Sequence, residues 1–140
     1  MEDLYLHYEV EALLRAGDER SAREEVRQLS ERAQTNERER LVYLRSLAVL
    51  SEWGGDTQRA IEHLHEAHAL AQEIGLPKEI WQIQSRLDDL HERRAEEAEA
   101  RQAFSLAAQT LRTLAQKIGD EELREGFLSA PQARRVLERS

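Results

Sequence analysis

Cysteine is absent from the 140 residues, which excludes disulfides and thiolate metal sites. Proline occurs twice and glycine six times, so few positions interrupt a helix and long helices are expected between them. Lysine is almost missing too. Eighteen of the twenty basic side chains are arginine, a bias that fits a GC-rich, bacterial genome. No apolar run approaches a membrane span, and the N-terminus lacks the basic start and hydrophobic stretch of a signal peptide. The cytoplasm is the expected compartment. Positive charge is also short, with a net charge of −8, which argues against a general nucleic-acid binder or a protein of anionic membrane surfaces. No Ser/His/Asp arrangement and no glycine-rich phosphate loop is present, so neither an enzyme nor a bound cofactor is expected.

What is present is repetition. Gly17-Asp18-x-x-x-Ala22 recurs as Gly55-Asp56-x-x-x-Ala60, and residues 70–75 (Leu-Ala-Gln-Glu-Ile-Gly) recur as 114–119 (Leu-Ala-Gln-Lys-Ile-Gly). Ala22-Val26-Leu29, Ala60-Leu64-Ala67 and Ala100-Phe104-Ala107 share one spacing: a small residue, a larger one four later, another three after that. A small residue lets two helices approach, and the larger one fills the groove between them. A helix pair of this kind cannot bury its apolar face alone and must stack on neighbours.

The spacing predicts helices over about 2–15, 18–33, 37–53, 56–74 and 77–91. A sixth, one turn longer than the fourth, reaches 118, and two short ones follow Asp120 and Pro131. Asp18, Asp56 and Asp120 are candidate N-caps, and Gly75-Leu76-Pro77 is the clearest break. Residues 91–100 contain neither glycine nor proline, with Ala95-Glu96 where the earlier pairs have Gly-Asp. A turn near 92–95 is still expected, because an unbroken helix would separate the Leu87/Leu90 stripe from Phe104/Ala107. Phe104 is expected to be a core anchor.

The small-large-small stripe and the Gly-Asp turn resemble the tetratricopeptide repeat (TPR) family over residues 3–119. The period differs from the family's 34 residues, and its first-helix Trp and Tyr are missing. The resemblance implies an all-α, right-handed solenoid of three antiparallel helix pairs, at about 1–36, 37–76 and 77–119, closed by capping helices over 120–140. The tail, Asp120-x-x-Leu-Arg-x-x-Phe-Leu-x-x-Pro, is similar to the ends of large repeat-bearing bacterial regulators. In the resembled family the first helix of each pair lines a concave groove. This places Tyr8, Val42, Arg45, Val49, Gln82, Arg86 and Asp89 on that surface, together with His7, Glu11, Ser46 and Ser85. Arg45 and Arg86 match positions that hold a peptide carboxylate in some members, although the partnering Asn residues are absent.

Other constellations are weaker. His63, His65 and His68 with Glu62 and Glu66 fall one residue short of the His-Glu-x-x-His zinc spacing, so no metal site is expected there. Asp88-Asp89, Glu96-Glu97 and Glu121-Glu122 read as solvated faces or first-turn acids. The expected role is protein or peptide binding, regulatory or scaffolding, in bacterial signalling. Two alternatives stand beside it: self-association through Leu4, Leu6, Leu13 and the two tyrosines of the first repeat as a homodimer, and a small-molecule effector site in the groove.

Overall fold

The computed structural model describes residues 6–138, which form eight helices and fall into two compact units, Met1–Ile74 and Gly75–Ser140. The division lies at the Gly75-Leu76-Pro77 break. Among the described residues no helix is long and apolar enough to cross a membrane.

The first unit contains α1 (Leu6–Arg15), α2 (Glu19–Arg32), α3 (Glu37–Trp53) and α4 (Thr57–Ile74). Helix α1 packs on α2 and α3, α2 on α3, and α3 on α4. Val10, Leu14, Ala22 and Val26 form one buried cluster, with Tyr43, Leu47 and Leu50 of α3 against it. On α2, Arg23 pairs with Glu19 at 2.9 Å and Arg27 with Glu24 at 2.7 Å, all on exposed side chains. Such pairs contribute a few tenths of a kcal/mol each, whereas burying a side chain of Val or Leu size is worth about 1.5–3 kcal/mol. Helix α2 is therefore held by Ala22, Val26 and Leu29, all buried.

The second unit contains α5 (Pro77–Arg93), α6 (Glu97–Gln116), α7 (Glu121–Ser129) and α8 (Pro131–Glu138). Helices α5 and α6 form a hairpin, and α7 and α8 fold back on α6. Trp81, Ala107, Ala108, Leu111, Ala133 and Val136 make its core. Asp120 caps α7 by accepting from the Leu123 amide at 2.9 Å. Arg124 donates to the carbonyls of Ala115 (3.2 Å) and Ile118 (2.6 Å), tying α7 to the chain around the end of α6. Helix α6 has 20 residues against 18 in α4, half a turn longer where a full turn is expected.

Three hairpins close in the same way. The amides of Asp18, Asp56 and Glu96 donate five residues back to the carbonyls of Leu13, Ser51 and His91, at 2.8, 2.8 and 2.9 Å. The residue before each, Gly17, Gly55 or Ala95, donates three residues back and sits at φ +81°, +84° and +58°. This is the paired-bond closure that needs a left-handed residue past the helix end. The turn expected near 92–95 is thus formed, at the cost of placing an alanine where glycine is favoured. Asp18 and Asp56 also cap the following helix, accepting from Ser21 and Arg59 amides at 3.1 Å. Glu96 makes no such bond.

A left-handed L-residue costs about 1–2 kcal/mol, partly offset by the greater unfolded freedom of glycine. Ala95→Gly is expected to raise stability by about 0.5–1 kcal/mol in denaturant unfolding. Gly55→Ala is expected to lower it by a similar amount for backbone reasons alone, since a Cβ there meets nothing within 4 Å. Loss of stability in Ala95→Gly would contradict the shared geometry.

Candidate functional site

The sequence-derived groove residues are distributed over both units. Val42 is 1 % exposed and Gln82 7 %, so both are core positions as the chain stands. Val49 leans on the Val10–Val26 cluster. Ser46 is fully buried, with its hydroxyl lacking a partner. Arg45 is half-buried. Arg86 and Asp89 are both partly exposed and face each other at 3.8 Å. The side chains of His7 and Tyr8 lie outside the described residues, as do Leu4 and Tyr5.

In α4, His65 is exposed while His63 and His68 are half-buried, and the His63 Nδ1 is buried without a partner. Burial, and after it the neighbouring His65, holds His68 below its ordinary value. The three do not converge on a metal-sized space among the described residues. Three carboxylates do: oxygens of Asp88, Asp89 and Glu92 lie within 4.8 Å of one another.

The feature that sequence reasoning missed is a cleft of about 600 Å³ in the α5–α6 hairpin, lined by Asp88, Glu92, Ala95, Glu97, Ala100, Arg101 and Phe104. Asp88 is 1 % exposed, not part of a solvated face. It belongs to a polar stripe, Trp81-Gln84-Asp88-His91, whose spacing of three and four keeps it on one side of α5. Gln84 accepts from the Thr110 hydroxyl at 3.0 Å, and His91 Nδ1 lies 2.9 Å from Glu96 Oε1, so this stripe is tied to α6 and to the turn. Phe104 is half-buried and not a full core anchor: one side leans on the Trp81–Leu111 cluster and another borders the cleft. Its equivalents Val26 and Leu64 are smaller and are buried. The wall of the cleft therefore combines an aromatic ring, small alanines and three carboxylates against one exposed guanidinium.

No family model, curated protein or solved structure matches the chain.

The turn beside the cleft carries a perturbed carboxyl. The His91 hydrogen bond, and after it the Arg94 charge, holds the Glu96 carboxyl below the ordinary carboxylate range, with burial opposing. A depressed carboxyl binds fewer protons folded than unfolded. Its contribution is complete above the ordinary range and lost as pH falls through the lower folded value. His68, also depressed, adds a decline that starts below about pH 6.5. Glu96→Gln is expected to lower Tm at neutral pH and to flatten the most acidic part of the decline, in thermal melts over a pH series. A variant whose acid limb matches the wild type would show that the pair contributes nothing.

Proposed function

We propose that this chain is a non-enzymatic module of TPR-like helix pairs that binds a protein or peptide segment in a regulatory or scaffolding role. The α5–α6 cleft is the observation that carries this reading. It is concave, bordered by a half-buried aromatic side chain, and offers several hydrogen-bonding groups beside apolar surface, the combination that recognition sites use. The likeness to TPR helix pairs is supported by the stripe Ala22-Val26-Leu29 and its partner Ala60-Leu64-Ala67, all buried, and by the matching Gly-Asp turns. The right-handed solenoid of three pairs and a bacterial signalling setting belong to the same proposal. They rest on the repeat spacing, the arginine bias and the tail motif.

The site moves with this reading. The groove inferred from first-helix positions includes buried Val42 and Gln82, whereas the α5–α6 cleft presents accessible groups. Selection from a displayed random-peptide library tests it. Enriched peptides are expected to bind the purified chain, and Phe104→Ala is expected to weaken them by about 1–2 kcal/mol through loss of the aromatic contact. Absence of enrichment over background, or equal affinity for Phe104→Ala, would count against the cleft as the binding surface.

A further inference from the structure

We infer that the face of α6 covered by α8 is a docking surface for an amphipathic helix, and that α8 is its resident, displaceable occupant. The binding role assigned to the α5–α6 cleft is not needed for this. Ala107, Ala108 and Leu111 of α6 share one buried cluster with Ala133 and Val136 of α8 and Trp81 of α5. The two alanines keep the surface of α6 low, which lets another helix approach closely. Helix α8 meets it with Ala133 and Val136, both buried, and with half-buried Leu137. A small residue is thus followed by large apolar ones three and four positions later, the spacing of a single helix face. The partner that fits is a short helix with this same pattern.

Several features make α8 separable from the hairpin it covers. It has eight residues, and a helix this short does not persist without its packing. No side chain of α7, which joins it to α6, is buried: Phe127 and Leu128 are half-buried, and Leu123 is 67 % exposed. The contacts of α7 and α8 with α6 are far sparser than those between α5 and α6. Ala130, extended ahead of Pro131, keeps α7 and α8 from merging, so α8 docks or leaves as a unit. The docked state also carries a penalty. The Trp81 Nε1 is buried and finds no acceptor among the described residues. A terminal element held this way opens at a lower cost than global unfolding, and its departure uncovers Leu111 and the alanines for a competing helix. Arg124, bonded to the Ala115 and Ile118 carbonyls, keeps the start of α7 in place meanwhile.

The test uses the full chain as Trp53→Phe, which leaves Trp81 as its single fluorescent indole, and a synthetic peptide of residues 130–140 as the probe. With α8 intact, the Val136 and Leu137 amides are expected to exchange about tenfold faster than those of Ala107 and Leu111, or faster still. Adding Val136→Asp is expected to release α8 and shift Trp81 emission to the red, while the Leu90 and Ala103 amides of the hairpin stay protected. The peptide is expected to bind this variant, to return the emission to the blue, and to bind about tenfold more weakly where α8 is intact and competes. A peptide carrying the same Val136→Asp change is expected not to bind. Unchanged emission in the variant, no binding of the peptide to it, or equal affinity with and without Val136→Asp would overturn the inference. Loss of protection at Leu90 and Ala103, or a single exchange rate for α8 and α6, would overturn it too, by making α8 an integral part of the hairpin fold.

Discussion

The left-handed residue past the end of a helix is the constraint on which this architecture depends. At Gly17, Gly55 and Ala95 the backbone reverses within a few residues, and two amides satisfy carbonyls that the preceding helix leaves open. That reversal sets α1 against α2, α3 against α4, and α5 against α6. Only then do stripes of small and large residues meet across each pair. Ala22, Ala60 and Ala100 are buried because the turn has placed a partner helix over them. The surface ion pairs of α2 are too weak to impose this arrangement.

The third turn keeps the geometry and changes the chemistry. Alanine replaces glycine, so strain is stored at a residue that lines the cleft. Glutamate replaces aspartate, and its longer side chain reaches back to His91 in place of capping α6. The polar face of α5 is thereby linked to the turn, with Gln84 bonded to Thr110 further along the hairpin. Asp88, between these two ties, lies buried in the wall of the cleft. The hairpin that departs from its two relatives in turn and cap also carries this cleft.

Much of the helical framework is legible in the chain. The run from Asn36 to Trp53 announces α3, with Asn36 accepting from the Arg38 and Glu39 amides. Pro77 marks the first turn of α5, and Asp120 and Pro131 mark the starts of α7 and α8. The turn at Ala95 has no local signal, and only the need to bring Leu90 and Ala107 into buried positions argues for it. The cleft is harder still. Asp88 follows Leu87 and precedes Asp89, so a charge-based reading sends both acids to solvent. Helical spacing from Trp81 through Gln84 carries Asp88 inward instead. Val42 and Gln82 are buried for a related reason. Family-derived positions specify a helix face, while burial depends on how closely the neighbouring elements approach it.

Amide hydrogen exchange at three positions tests the account most directly. The amides of Asp18, Asp56 and Glu96 each close a hairpin through the same bond to the carbonyl five residues back. All three should be protected well beyond free-peptide rates, with Glu96 exchanging fastest because its turn carries the strain of Ala95 and lacks a side-chain cap. Exchange of the Glu96 amide at the unprotected rate, or more slowly than both aspartate amides, would contradict a common closure weakened at the third hairpin.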